Sequence, residues 1–198
     1  EFHSEYGIKI IDISDFSNLK KVGTLDTEGS AREIIIDGDY AYLGDMGEGL
    51  KIIDLSDPVN PYILDSLQTG DWPVSIKIRN NKAFIANGRS GIKKPAEIDS
   101  FSTSFYANDV TLKEEYAYVA DYSDGMKIID LSRSKKVKTP ELFDTRGEFE
   151  DIKVRNNYAY VASGRGGLKV INISDSSDIK QVGSCITGDE ALDVDVKD

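Results

Sequence analysis

The chain has 198 residues, with 35 acidic against 24 basic side chains and a formal net charge of −11. That charge repels phosphate backbones and argues against nucleic acid as a partner. No apolar run approaches the roughly 20 residues that a bilayer span needs. A lone cysteine, Cys185, leaves no material for an internal disulfide or a CxxC zinc or redox motif. Its place between Val182 and Ile186 predicts a small buried hydrophobe.

After His3 the chain runs Gly7-Ile8-Lys9-Ile10-Ile11-Asp12-Ile13-Ser14, and this unit recurs. It returns at Gly49–Ser56, Gly125–Ser132 and Gly167–Ser174, with a clipped copy at Gly91-Ile92-Lys93. The glycines stand 42, 42, 34 and 42 residues apart. A period of about 40–45 residues made of short strands is the mark of propeller blades.

Within each period four strands are predicted. The first alternates β-branched and polar residues: Arg32–Ile36, Ser75–Ile78, Asp109–Leu112, Asp151–Val154 and Asp193–Val196. Asp37-Gly38-Asp39, Asn80-Asn81 and Asn156-Asn157 then supply hairpin chemistry, because these residues tolerate positive φ. The second strand sets large aromatics on one face and small residues on the other, as in Tyr40-Ala41-Tyr42-Leu43, Lys82–Ile85, Tyr116–Val119 and Tyr158–Val161. Such a face needs a recess in the neighbouring sheet. A glycine-rich loop leads into the third strand, the recurring unit itself. Its near-continuous apolar run implies burial on both faces. The fourth strand is Leu19–Leu25, Tyr62–Leu67, Val137–Phe143 and Ile179–Ile186, followed by a Thr-Gly loop such as Thr69-Gly70. No helical stripe of apolar residues occurs. The fold class expected is all-β: a propeller of about five four-stranded antiparallel blades in one domain over 1–198.

Repeats fall near 31–69, 73–103, 107–145 and 149–187, with residues 1–27 and 191–198 expected to share the closing blade. The copy at Gly91 is eight residues short, and matching both of its ends assigns the loss to the third strand and its turn. Such a loss would leave an unpaired hydrogen-bonding row. The expectation is therefore that the eight residues are missing from the sequence as given rather than from the natural blade.

Tyr116-Ala117-Tyr118-Val119-Ala120 followed by units such as Gly49–Pro58 resembles the LVIVD-repeat family. The likeness covers nearly the whole chain, except that the clipped copy departs from it. It implies a β-propeller of prokaryotic cell-surface or secreted proteins. Other propeller signatures fail: Trp72 is the only tryptophan, and Gly166-Gly167 the only Gly-Gly pair.

Catalytic material is scarce. His3 is the sole histidine and reads as an exposed terminal residue, so neither a Ser-His-Asp triad nor a histidine zinc site can be assembled. The positional candidate is a ring at the start of the first strands: Glu33, Ser75, Asp109, Asp151 and Asp193. If these strands line the central channel, the ring could hold calcium or a cationic ligand through oxygens. The favoured alternative is that each carboxylate caps the turn behind it. Trp72, Tyr106 and Phe149 lie just ahead of the ring, where they could frame a sugar or peptide site or, as favoured, plug the channel mouth. Asp12, Asp54, Asp130 and Asn172 read as turn caps. The resulting expectation is a non-catalytic module without a cofactor, calcium being the one conceivable addition, that takes a protein or glycan at the channel face. A calcium-dependent hydrolase and an architectural spacer are the alternatives.

Overall fold

The computed structural model describes residues 7–93, 100–101, 103, 105–132, 148–175 and 178–197. Among them seventeen strands form five antiparallel sheets in chain order. The first holds β1 (Ile8–Asp12) and β2 (Lys20–Leu25). The second holds β3 (Ser30–Asp37), β4 (Tyr40–Met46), β5 (Gly49–Asp54) and β6 (Tyr62–Leu67). The third holds β7 (Ser75–Arg79), β8 (Lys82–Ala86), β9 (Ile92–Lys93) and β10 (Ser100–Phe101). In the fourth are β11 (Asp109–Lys113), β12 (Tyr116–Ala120) and β13 (Met126–Asp130). The fifth comprises β14 (Asp151–Arg155), β15 (Tyr158–Ala162), β16 (Leu168–Asn172) and β17 (Lys180–Cys185). The expected strand Val137–Phe143 and His3 lie outside the described residues.

The hairpins form as the turn residues dictate. Asn80 and Asn81 take φ of 51° and 57°, and Asn156 takes 51°, so all three asparagines stand where a left-handed backbone is required. The end of the recurring unit is capped as expected. The Ser14, Ser56, Ser132 and Ser174 N–H groups donate to Asp12, Asp54, Asp130 and Asn172 at 2.8–2.9 Å. A β-bulge sits in the fourth strand at Val22, Leu64 and Val182, opposite Ile10/Ile11, Ile52/Ile53 and Val170/Ile171 of the third, the same slot in three copies.

Each core cluster joins one sheet to the next. Ile8 and Leu25 meet Ala41, Leu43 and Ile53. Tyr42 and Leu50 meet Ile76, Ala83 and Ile85. Ala86 and Ile92 meet Val110, Ala117 and Ile129. Tyr118, Met126 and Ile128 meet Phe149, Ile152, Ala159 and Ile171. The aromatic of one second strand shares a core cluster with the alanine of the next, Tyr42 with Ala83 and Tyr118 with Ala159. Sheets with two apolar faces are stable only when stacked this way, which is the blade packing of a propeller.

Two expectations are modified, and of the closing blade the structure describes a part. Among the described residues the clipped blade keeps a third and a fourth strand, β9 and β10, paired Ser100↔Lys93 and Phe101↔Ile92. Residues 94–99 lie outside the described set. At the ends, β1 pairs with β2 in a two-stranded sheet, and residues 192–197 run past β14 without entering a named strand. Among the described residues no strand pairing links the two termini. Finally, Cys185 is exposed rather than buried, because β17 is an outermost strand whose residues are largely solvated.

Candidate functional site

The inner strands β3, β7, β11 and β14 lie side by side and carry the predicted acidic positions. The structure brings these positions together but gives them a task neither sequence reading anticipated. Glu33 Oε2 accepts the Ile76 N–H, Asp109 Oδ2 the Ile152 N–H at 3.1 Å, and Asp151 Oδ2 the Val194 N–H at 2.9 Å, each 43 residues ahead. A carboxylate thus caps the inner strand of the following blade, not the turn behind it. Ser75, in the clipped copy, is too short for this reach and donates to Asp109 Oδ1 at 2.5 Å.

Lysines interleave with these acids. Lys77 Nζ lies 3.2 Å from Glu33 and 3.9 Å from Asp109. Lys153 Nζ lies 2.7 Å from Asp151 and 3.5 Å from Asp109. The belt therefore alternates in charge, and donors already engage both oxygens of Asp109 and of Asp151.

Burial, together with the adjoining Asp151 carboxyl, pushes Asp109 up to about 7 against the pull of Lys153 and Lys77. Burial opposes ionisation of Asp151 as well, yet hydrogen bonds from Asp109, Lys153, Asp193 and the Val194 N–H hold it well below the ordinary range. Asp193 is raised by its hydrogen bond and repulsion with Asp151. The three carboxyls titrate together, with Asp109 and Asp193 raised and Asp151 lowered.

A second structural layer escaped the sequence reading. The lysine of the recurring unit is buried at Lys51, Lys127 and Lys169. Lys127 Nζ stands 3.0 Å from Asp124 and 4.0 Å from buried Asp121, and Lys169 lies over the Phe149 ring at 5.6 Å. Asp45, Asn87, Asp121 and Ser163 occupy one buried slot in the loop before the third strand. Asn87 Nδ2 donates to the Thr69 carbonyl at 2.8 Å, tying that loop to the Thr-Gly connector. Burial raises Asp45 and Asp121 despite the nearby Thr27 and Thr103 hydroxyls and Lys51 and Lys127. The legible signal was the threonine spacing, Thr27, Thr69, Thr103, Thr145 and Thr187, which follows the spacing of the first-strand positions Glu33, Ser75, Asp109, Asp151 and Asp193 step for step.

The three predicted aromatics part company. Phe149 is 0% exposed and packs between the fourth and fifth sheets, so it cannot frame a ligand site. Trp72 is 49% exposed, with its N–H bonded to Asp71. Tyr106 lines a cavity of about 530 Å³ with Arg89, Phe105, Asn108, Tyr122 and Glu150. The cavity lies between the clipped blade and its successor, where short β-bridges Gly88↔Ala107 and Tyr122↔Phe149 pin each loop to the next connector.

Phe105 and Tyr122 form its aromatic wall, stacked with centroids 5.9 Å apart and planes 14° apart. Gly88 makes room for Tyr106, since a Cβ there would press on the ring at 3.2 Å. Tyr122 holds φ of 36° in the slot that Gly88 and Gly164 fill at 50° and 44°. A left-handed backbone costs a side-chain-bearing residue roughly 1–2 kcal/mol. The Tyr122 hydroxyl is pushed up to about 12, first by its hydrogen bond to Glu148. Asn108 Nδ2 donates to Glu150 Oε2 at 2.9 Å and to the Phe149 carbonyl at 3.2 Å. Burial raises Glu150, as do the charges of Glu148 and Glu190.

Solved structures support the architecture. The computationally designed Ika8 protein matches with a TM-score of 0.73 at 11% identity, over 90% of this chain and 56% of its own. The β-propeller domain of Myceliophteria thermophila Cps50 (Swd1) matches with a TM-score of 0.65 at 12% identity, over 87% and 64%. BamB from Moraxella catarrhalis gives 0.62 at 13%, over 80% and 51%. The chain thus spans about half to two thirds of the length of these three, and at such identities the likeness is one of fold. No curated protein matches the chain. The LVIVD repeat model matches residues 4–27, 28–69, 106–135 and 146–187, leaving out the stretch that holds the clipped copy. With matches over most of its length, and with the recurring unit forming the third strand of successive blades, the chain belongs to the LVIVD-repeat family.

Proposed function

We propose that this propeller is a non-catalytic interaction module of a cell-surface or secreted protein, and that it takes a protein or glycan ligand in the aromatic cavity beside the clipped blade. One observation carries the reading: the cavity is walled by residues that break the repeat. Phe105 stands where the other copies have Gly29, Asp71, Gly147 and Asp189, and Tyr122 stands where they have Met46, Gly88 and Gly164, so neither slot is aromatic elsewhere. The blade template is met without these aromatics, and Tyr122 adds backbone strain, so packing alone does not account for them. The non-catalytic part rests on the belt, whose carboxylates are engaged by backbone N–H groups and lysines. The extracellular setting rests on what the family resemblance implies.

The test is a glycan and peptide array probed with the wild-type chain and with Tyr122→Gly and Phe105→Asp, each of which installs a sister-copy residue. Wild-type binding that both variants lose at unchanged melting temperature is expected. Binding that persists in both places the ligand elsewhere, and a chain silent on every array favours the spacer reading.

A further inference from the structure

Building on the interaction-module reading, we propose that the cavity recognises the guanidinium group of an arginine presented by a protein partner. Its two ends differ in charge. At one end Arg89 and Arg32 act on the Tyr106 hydroxyl, alongside Asp71. At the other, Glu150 lines the cavity, and the charges acting on its carboxylate are those of Glu148 and Glu190, both of its own sign. Glu148 also accepts from the Tyr122 hydroxyl, which fixes the aromatic wall against this acidic end.

A cation entering there relieves carboxylate repulsion and meets a ring face at once. Phe105 leaves half its surface exposed (51%) while its other side is covered by Tyr122. A planar guanidinium lies flat on such a ring and directs its N–H groups in plane toward an adjacent carboxylate, whereas an ammonium is a compact, strongly hydrated point charge. The Asn108 amide donates to Glu150 Oε2 and to the Phe149 carbonyl, which orients the Glu150 carboxylate and leaves its Oε1 as the acceptor for a ligand N–H. Arg89, at the far end, is placed to donate to a carbonyl of the partner's backbone. Arg165 pairs with Glu190 at 3.3 Å, so Glu148 and Glu150 are the carboxylates that a ligand cation would meet; a neutral sugar would use the ring face and leave these two without a counter-charge, which is why arginine is preferred over a glycan.

The full chain is titrated, by NMR, with the peptide Gly-Gly-Arg-Gly-Gly, with its citrulline counterpart (same shape, no charge), with the lysine counterpart and with a neutral oligosaccharide. The arginine peptide is expected to bind at least tenfold more tightly than the citrulline peptide and more tightly than the lysine peptide. Glu150→Gln should weaken arginine binding severalfold, and Tyr122→Gly should abolish it while folding is retained. Equal binding of arginine and citrulline peptides overturns the proposal. Oligosaccharide binding that Tyr122→Gly abolishes, with the arginine peptide silent, also overturns it but leaves the interaction-module reading standing. If neither probe type produces shifts that Tyr122→Gly removes, both readings fall.

Discussion

The belt and the cavity are neighbours along the chain, since Asn108 and Glu150 immediately precede Asp109 and Asp151, yet they follow opposite rules. In the belt the same chemistry recurs at three of its steps: the carboxylates of Glu33, Asp109 and Asp151 each reach 43 residues ahead to cap the next inner strand, and Ser75 of the clipped copy alone departs from it. In the cavity the residues that matter are those that depart from the repeat. A blade cannot bury its faces alone, so a contact needed at every interface must be repeated at every interface. A ligand needs one site, and the cheapest place to build it is where the period already falters, beside the clipped copy.

The sharpest way to break this contrast is through the interface core. Phe149→Ala should cost about 3–5 kcal/mol, because a fully buried ring leaves a cavity between two blades. Denaturant melts check this, and a loss under 1 kcal/mol would mean that the blades do not depend on one another. Asp151→Ala should cost about 1–3 kcal/mol, since the Val194 N–H and the Lys153 ammonium lose an acceptor. Ligand binding by the folded fraction should survive it.

A subtler outcome concerns pH. Asp109 has a folded value of about 7, above its ordinary 3.8, so the folded state holds a proton that the unfolded state releases. Its contribution is fully present below about 3.8 and is lost as pH rises through about 7; raised Asp193 acts in the same direction. Asp151, held low, contributes above its ordinary value, and that contribution is lost only in strong acid. Melting temperature should therefore fall as pH is raised from 5 to 8, and Asp109→Asn should flatten that slope. A flat wild-type profile between pH 5 and 8 would show that the belt lysines keep Asp109 ionised.

The smallest expected stability effect belongs to Tyr122→Gly. Relief of the strained backbone offsets the lost ring stacking, so the melt should move by about 1 kcal/mol or less.

Much of the fold was legible because the repeat states each strand several times over. The aromatic-against-alanine alternation of Tyr42, Ala83, Tyr118 and Ala159 correctly anticipated face-to-face stacking. The belt positions were legible as a list, but their bonding was not, since the partner N–H lies a full repeat away and is found only once adjacent inner strands are in register. Grouping Phe149 with Trp72 and Tyr106 failed by one residue. Trp72 and Tyr106 stand three before the belt position and Phe149 stands two before it, in the slot of buried Ala107. In extended chain that single step turns a side chain to the opposite face. The buried lysines were hidden because lysine between isoleucines reads as a solvated edge. The cavity joins residues from 89 to 150, which strand periodicity cannot bring together.

The central claim is that repeated residues hold the ring while repeat-breaking residues bind, and a paired comparison of Asp151→Ala with Tyr122→Gly in one melt-and-titration series tests it most directly. The account predicts that Asp151→Ala loses stability and keeps ligand affinity, whereas Tyr122→Gly keeps stability and loses affinity. The reverse pattern, or two variants that lose both properties together, would contradict it.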